Sequence, residues 1–324
     1  SFNNNQASYN IYNSFEIIPF EPGSYSEYTI DFKVNSEWKN KTQNKKYIST
    51  NFPASILNYN YNNNLQDIYK TIIFYLENAV KKRVVDTTDR PIVCLLSGGL
   101  DSSLITAFVK KHYVGELKTY SIGMKGSEDL KKAKEVADYL KTTHTEIIMT
   151  EDEFFNYIPE VIKTIESYDT TTVRASVGNY LVGKYISETC DAKVVFNGDG
   201  SDELTGGYLY FLKTPCSLEF DKECRSLLEN IHTFDVLRSD RCISCHGLEP
   251  RTPFLDRTFV NYYLSLSINM RNPLTSTINK NTCEKQLLRT AIASVYPELL
   301  PKNILWRTKE AFSDGVSGNN GSWF

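Results

Sequence analysis

The sequence lacks several features that would mark particular classes of protein. No apolar run approaches the roughly 18–20 residues that a membrane-spanning helix needs. The net charge of −3 excludes a chain-wide basic field of the kind that binds nucleic acid or an anionic membrane. The polar first residues lack the basic and apolar parts of a signal peptide. Seven scattered cysteines favour reduced thiols over a disulfide framework, so we predict a cytoplasmic protein.

The composition is that of a folded protein with an unusual N-terminal part. Of 324 residues, 41% are hydrophobic and 23% charged, which is typical of globular chains. The first 64 residues are rich in Asn and Tyr, most densely at 58–64, and this composition is typical of a loop or linker. Within them, the alternation of Tyr28, Ile30 and Phe32 predicts a short strand. We therefore predict that residues 1–64 are distinct from residues 65–324.

From Leu65 onward, helical and strand patterns alternate. Strands are predicted at 92–96, 117–122, 145–149 and 193–196, and helices at 65–83, 102–112, 129–140, 151–167 and 177–186. After Gly207 the pattern indicates no clear strand, and the C-terminal third, including 284–295, is predicted to be mainly helical. Alternating strands and helices predict an α/β fold with a mostly parallel sheet, helices on both faces and a helical C-terminal part.

One glycine-containing segment has the context of a phosphate-binding loop. Ser97-Gly98-Gly99-Leu100-Asp101-Ser102-Ser103 follows a predicted buried strand and opens a predicted helix. The glycines let the backbone approach a phosphate, and the N–H groups of a helix start favour an anion. Asp101 is itself negative, so its presence indicates Mg²⁺ between its carboxylate and the phosphates. The alternatives are a capped turn, and Ser102 as a nucleophile, for which no His lies nearby in the sequence.

A second segment, 178–185, matches the letters of a Walker A loop without its context. It ends in Tyr185 where a Mg²⁺-binding Ser or Thr is required, and no predicted strand precedes it. Its apolar residues have helical spacing, so we predict a helix there.

Five ordered segments together resemble one family. The loop at 97–103 resembles the pyrophosphate-binding motif of the ATP pyrophosphatases. Four later segments are similar to signatures of asparagine synthetase: Tyr168-Asp169-Thr170-Thr171-Thr172-Val173-Arg174-Ala175-Ser176, Gly198-Asp199-Gly200-Ser201-Asp202-Glu203-Leu204, Arg251-Thr252-Pro253-Phe254-Leu255-Asp256, and Trp306-Arg307-Thr308-Lys309-Glu310-Ala311-Phe312-Ser313-Asp314-Gly315. Residues 65–324 thus resemble the synthetase domain of the glutamine-hydrolysing asparagine synthetases.

The resemblance implies a fold, a reaction and a set of partners. The fold is that of the adenine nucleotide α-hydrolases. In the reaction, the side-chain carboxylate of aspartate attacks the α-phosphorus of ATP to give β-aspartyl-AMP and pyrophosphate. Ammonia, free or derived from glutamine, then gives asparagine and AMP. Mg²⁺ is implied as a cofactor, and neither nucleic acid nor a membrane is expected as a partner.

The resemblance also implies roles for individual residues. Asp101 and Asp202 match metal ligands, and Lys309 matches a catalytic lysine that neutralises charge on the leaving phosphates. Arg174 and Thr171 match a segment near the acyl-adenylate. The ATP-binding positions are matched by Leu95, Ser97, Gly98, Gly99, Asp101, Ser102, Ile122, Asn197 and Gly198.

The chain also departs from the family. Members usually have Ser-Gly-Glu-Gly where this chain has Asn197-Gly198-Asp199-Gly200, so the predicted catalytic carboxylate of Asp199 is one methylene shorter. Members also carry an N-terminal glutaminase domain whose first residue is Cys, whereas residue 1 here is Ser. Residues 1–64 are therefore expected to be a remnant of that domain's junction. Two alternatives stay open: a related adenylate-forming ligase, such as a β-lactam-forming synthetase, and a nucleotide-binding module with impaired catalysis.

Overall fold

The computed structural model describes residues 20–30, 32, 37–47, 64–87, 89–276, 282–309 and 317. The chain divides into two compact units, residues 1–51 and 52–324. The predicted boundary at 64–65, and the glutaminase origin of the first part, stay predictions.

The first unit contains an antiparallel hairpin of β1 (Ser24–Ile30) and β2 (Trp38–Lys46), in which Ser24 pairs with Lys46. The strand expected near residue 30 is present, although Phe32 lies beyond its end. The second strand was not predicted, because its polar sequence, rich in Lys and Asn, has low β-propensity. Most of the Asn-rich stretch at 58–64 lies outside the described residues.

The second unit is a layered arrangement of helices and strands. Its described helices are α1 (Leu65–Val85), α2 (Leu100–His112), α3 (Glu128–Leu140), α4 (Glu151–Asn156), α5 (Ile158–Ile165), α6 (Thr170–Thr189), α7 (Ser201–Thr205), α8 (Ser217–Asn230), α9 (Asp235–Ser244), α10 (Arg257–Ser265), α11 (Ile268–Arg271), α12 (Gln286–Val295) and α13 (Lys302–Leu305). Short 3₁₀ segments span Leu209–Lys213, Ile231–Thr233 and Pro253–Leu255. Within the described ranges, no helix combines the length and the apolar character that a membrane crossing requires.

A five-stranded sheet forms the centre of the second unit. Its strands are β3 (Ile92–Leu95), β4 (Lys118–Met124), β5 (Thr143–Met149), β6 (Val194–Phe196) and β7 (Glu249–Arg251). They are arranged in the order β5-β4-β3-β6-β7, and every neighbouring pair is parallel. The predicted parallel α/β architecture is therefore confirmed.

The fifth strand of that sheet corrects one expectation. The sequence pattern indicated no strand after Gly207, yet β7 pairs with β6 along Val194–Glu249 and Phe196–Arg251. The strand is only three residues long and contains Pro250, which has no N–H for a ladder bond. Proline is tolerated in a sheet at an edge strand, and β7 is at the edge.

Both faces of the sheet are buried against helices, as expected. In β3, Cys94 faces a core that includes α1 and α2, whereas Val93 faces a core that includes α6. In β6, Phe196 faces the same core as Cys94, and Val195 faces the same core as Val93. Side chains alternate between the faces of a strand, so a wholly apolar run is what a doubly covered strand requires.

Two predicted helices have different bounds in the structure. The helix expected at 151–167 is divided at Tyr157 into α4 and α5. Pro159 lies in the first turn of α5, where its missing N–H costs no helical bond, although it would break a continuous helix. The helix expected at 177–186 is longer, because Asp169 accepts a hydrogen bond from the Thr172 N–H and caps a start at Thr170.

The strand order determines where a ligand site is expected. The chain passes from β3 to β4 and β5 on one side, and later returns to β6 and β7 on the other. The order therefore reverses between β3 and β6. In open parallel sheets, ligands bind in the crevice beyond the carboxyl ends of the strands at such a point.

Candidate active site

The first loop, residues 97–102, follows β3 and leads into α2. The Ser102 hydroxyl donates to the Gly99 carbonyl at 3.3 Å and lies 3.0 Å from the Ser97 hydroxyl. Gly98 has a φ of +74°, and a Cβ there would overlap the backbone of Lys132 and Ala133. Glycine is therefore required at this position, both for the left-handed conformation and for the close packing on α3.

The second loop, residues 197–202, follows β6 and leads into α7. A Cβ on Gly198 would lie 2.7 Å from the Ser102 nitrogen and 2.8 Å from the Asp101 carbonyl carbon, so the two loops are in direct contact. Gly200 has a φ of +83° and packs against Leu255. Leu255 belongs to the third of the segments similar to the asparagine synthetases, so the arrangement of the loop depends on that segment.

Two aspartates and two lysines converge between the loops. Lys285 Nζ lies 2.6 Å from Asp101 Oδ2 and 2.6 Å from Asp202 Oδ1. Lys309 Nζ donates to Asp202 Oδ2 at 2.7 Å. The Ser201 hydroxyl donates to Asp101 Oδ1 at 2.8 Å. The structure thus brings together Asp101, Asp202 and Lys309, which the sequence placed in separate motifs.

Lys285 is a member of this cluster that sequence reasoning missed. Its side chain is 1% exposed, and its backbone has a left-handed φ of +56° just before α12. A lone lysine is usually a solvated surface charge, so nothing in the residue itself indicates burial. Lys285 lies at the start of the helix predicted at 284–295, and that pattern predicts a helix without indicating a ligand site.

The lysines determine the charge state of the cluster. Burial alone would raise the pKa of Asp202, but Lys285 and Lys309 hold that pKa well below its usual range. Burial would lower the pKa of Lys309, but Asp202 and Asp101 raise it above its ordinary value. The aspartate is therefore a carboxylate and the lysine an ammonium at neutral pH.

The same carboxylates fit a magnesium ion. Asp101 and Asp202 each have an oxygen within 2.6 Å of a single nitrogen, so one cation is able to contact both. Mg²⁺ in nucleotide sites is usually held by one or two carboxylates together with phosphate oxygens and waters. Among the described residues, no group of three or more His, Cys, Asp or Glu forms an all-protein cage. Such a donor pair would suit a metal shared with a phosphate ligand.

Asp199 lies in the second loop with a different charge state. Asn197 Nδ2 donates to Asp199 Oδ2 at 2.8 Å and to the Ser239 hydroxyl at 2.6 Å. Burial and the nearby Asp235 raise the pKa of Asp199 to about 7. Its carboxyl group therefore exchanges its proton near neutral pH, and the Asn197 amide fixes its orientation.

A second buried carboxyl lies on α7. Glu203 is fully buried and accepts a hydrogen bond from the Tyr208 hydroxyl at 2.5 Å. Burial and the neighbouring Asp235 raise the pKa of Glu203 to about 8. Asp235 also accepts a bond from the Gly200 N–H at 3.1 Å and pairs with Arg238. This acidic group thus lies directly behind the second loop.

The C-terminal segment reaches the first loop through Arg307. Its guanidinium donates to the Gly98 carbonyl at 3.3 Å and to Asp129 Oδ1 at 3.0 Å. Residues 306–309 therefore contact both loops, because Lys309 reaches the second. Residues 310–315 of this motif lie outside the described residues.

The remaining predicted site residues have varied surroundings. Leu95 is half-buried at the end of β3, and Ile122 is buried in the adjacent β4. Thr171 is exposed and Arg174 half-buried near the start of α6, and none of the contacts described above includes either residue. Their proximity to an acyl-adenylate stays a prediction. Segment 178–185 lies inside α6, so the expectation that it is a helix is confirmed.

Comparison with known proteins identifies the family. The sequence model for the family Asparagine synthase matches residues 74–225 and 213–322. The chain belongs to the asparagine synthase family. The two matched ranges contain both loops, Lys285 and Lys309.

Curated relatives match most of this chain. It is 43% identical over 319 residues to "Asparagine synthetase [glutamine-hydrolyzing]" of Mus musculus, covering 95% of this chain and 55% of the relative. The protein of the same name from Gallus gallus is 48% identical over 265 residues, covering 80% and 46%. The chain therefore spans about half the length of these relatives. A solved glutamine-dependent NAD⁺ synthetase from Acinetobacter baumannii aligns with a TM-score of 0.37 at 14% identity, covering 76% of this chain and 37% of that chain.

Proposed function

We propose that this chain catalyses the ATP-dependent conversion of aspartate to asparagine through β-aspartyl-AMP. The observation that supports this most strongly is the convergence of Asp101, Asp202, Lys285 and Lys309 between two loops of an asparagine synthase family member. The nitrogen donor for this chain is ammonia. Glutamine is the donor named for its longer relatives.

In the first step, the aspartate side-chain oxygen attacks the α-phosphorus of ATP, and the bond to pyrophosphate breaks. The first loop binds the β- and γ-phosphates through Ser97, Ser102 and the N–H groups at the start of α2. Gly98, Gly99 and Gly198 allow this close approach, and Leu95, Ile122 and Asn197 contact the nucleotide. The α-phosphorus is then open to in-line attack, and catalysis depends on positioning.

Charge neutralisation completes this step. Negative charge accumulates on the leaving pyrophosphate, and Lys309 and Lys285 stabilise it as fixed ammonium groups. Asp101 and Asp202 would hold Mg²⁺, which would supply further charge neutralisation on the phosphate oxygens. Lys285 contacts both aspartates and Lys309 contacts Asp202, so the two ammonium groups lie beside the carboxylates that would hold the metal.

In the second step, the ammonia nitrogen attacks the activated carbonyl carbon, and the bond to AMP breaks. The nitrogen must lose a proton, and Asp199, with a pKa of about 7, is suited to accept it. Arg174 and Thr171 hold the acyl-adenylate, since a guanidinium pairs well with carboxylate or phosphate.

The test is product analysis with this chain. It is incubated with ATP, MgCl₂, aspartate and ammonium chloride, and AMP, pyrophosphate and asparagine are measured. We expect the three products in equal amounts, dependent on aspartate, and strongly reduced in Lys309→Met. Pyrophosphate release with other carboxylates but not with aspartate would instead identify a related adenylate-forming ligase.

A second candidate is a nucleotide-binding module with impaired catalysis, and one observation favours it. The Asn197 amide, which replaces the family's usual serine, holds the shortened Asp199 carboxylate at 2.8 Å. This candidate predicts that the chain binds ATP with no turnover. Isothermal titration with a non-hydrolysable ATP analogue, beside the product assay, separates the two.

A further inference from the structure

A buried guanidinium ties the C-terminal segment to α12. Arg289 is 2% exposed, and its Nε donates to the Glu284 carbonyl at 2.9 Å. Its Nη1 donates to the Leu305 carbonyl and its Nη2 to the Arg307 carbonyl, the latter at 2.8 Å. Three backbone carbonyls from two separate segments are therefore held by one rigid, planar group.

The carboxylate that pairs with this arginine holds the next residue of the segment. Glu284 is 2% exposed and forms an ion pair with Arg289 Nη2. The same oxygen, Oε1, accepts a hydrogen bond from the Lys309 N–H at 2.9 Å. The ion pair thus fixes the backbone of residues 305, 307 and 309 in succession.

This backbone determines where the Lys309 ammonium lies. A lysine side chain is long and flexible, with about 2 kcal/mol of rotamer entropy, so it is directed by its anchoring point and its partner. Asp202 Oδ2 is the partner, 2.7 Å from Nζ. A displaced backbone would move the Lys309 ammonium away from Asp202 and from the leaving pyrophosphate of the proposed reaction.

We propose that the Glu284–Arg289 ion pair is a positioning pair for Lys309, an inference that rests on the proposed function. Neither residue has a described contact with Asp101, Asp202 or the first loop, so the pair acts through the residues that it holds, of which Lys309 contacts Asp202. Replacing a buried ion pair by apolar residues is often neutral or stabilising, so stability alone gives little reason for such a pair.

The primary test compares Arg289→Lys and Glu284→Gln with the parent chain. Lysine keeps the charge but is unable to span three carbonyls, and glutamine keeps the shape but removes the charge. We expect kcat for aspartate-dependent pyrophosphate release to fall about 10- to 100-fold, since small misplacements cost up to about 10²-fold. The KM for aspartate should change less than about twofold, because the lost interaction acts on the leaving group.

A matched control is available in the same unit. Arg271 is 1% exposed, pairs with Asp221 and donates to the Leu266 carbonyl at 3.2 Å. Arg271→Lys should lower the unfolding temperature by an amount similar to Arg289→Lys. It should leave kcat unchanged at a temperature where both variants are folded. An equal fall in kcat for both arginines would overturn the proposal, because the effect would then be structural.

A double-mutant cycle tests whether the pair acts through the lysine. In a Lys309→Met background, Arg289→Lys should lower single-turnover pyrophosphate release by less than about threefold, because residues that act as a unit are not additive. Full multiplicative losses would overturn the proposal and leave the proposed function standing. Absence of asparagine formation by the parent chain would overturn both.

Discussion

The two loops of the site have the same build and different electrostatic surroundings. Each follows a central strand, contains a glycine with positive φ, and leads into a helix whose second residue is an aspartate. The first loop presents serine hydroxyls beside Asp101. The second presents Asp199, with its pKa raised to about 7, three residues before Asp202, whose pKa is lowered.

This difference separates two tasks that the proposed reaction requires. Neutral donors and a helix start suit the binding of phosphates, and they need no change of protonation. Neighbouring carboxyls with opposite pKa shifts suit charge pairing at Asp202 and proton transfer at Asp199. Two loops with similar backbones are therefore suited to different tasks, phosphate binding in the first and charge pairing with proton transfer in the second.

The largest expected effects come from the two aspartates. Asp202 pairs with both Lys285 and Lys309, whereas Asp101 pairs only with Lys285 among the described lysines. We expect Asp202→Asn to lower kcat about 10³-fold and Asp101→Asn about 10²-fold, within the range for lost electrostatic stabilisation. Single-turnover pyrophosphate release measures both. Equal losses of kcat in the two variants would contradict this ranking and show that the second lysine contact of Asp202 adds nothing to the rate.

The next largest effect tests the contact between the loops. In Gly198→Ala, the new Cβ would lie 2.7 Å from the Ser102 nitrogen, so the loops must separate. A displacement of about 1 Å is expected to lower kcat about 10²-fold. Gly183→Ala, whose Cβ would lie 3.1 Å from the Cys242 carbonyl in the contact of α6 with α9, should leave kcat unchanged. Normal activity of Gly198→Ala would mean that the loops move independently.

The first loop was predictable from sequence because its chemistry is local. A strand, two glycines and a helix start all lie within residues 92–100, and the sequence pattern indicates all three. The second loop was found through its family motif, and its short helix has no periodicity of its own. The parallel sheet followed from strands alternating with helices, whereas β7 was missed because a three-residue edge strand containing Pro250 has no strand pattern.

The lysine and arginine that complete the site were beyond sequence reasoning. Lys285 and Arg289 lie near the start of an amphipathic helix, where cations usually face solvent. Their burial results from tertiary contacts with residues 184 and 16 positions away, at Asp101 and Leu305. Periodicity within one helix carries no information about such distant partners.

A moderate gain is expected from restoring the family's carboxylate in the second loop. Asp199→Glu adds a methylene and releases the carboxylate from the Asn197 amide, which now holds it at 2.8 Å. We expect kcat to rise about tenfold, since better placement of a reacting group gains rate. Asn197→Ser in the same chain should add to the gain. A fall in kcat for Asp199→Glu would show that the second loop is adapted to the shorter side chain.

The smallest effect concerns pH and distinguishes Asp199 from Glu203. A proton acceptor must be deprotonated, so activity that depends on Asp199 should increase as pH rises through about 7. At saturating ATP and aspartate, kcat/KM for ammonia, with its concentration counted as NH₃, should increase about tenfold from pH 6 to pH 8. In Asp199→Asn this pH dependence should disappear from the residual activity. A midpoint near 8 that survives the substitution would assign the titration to Glu203, because burial and Asp235 raise the pKa of Glu203 to about 8.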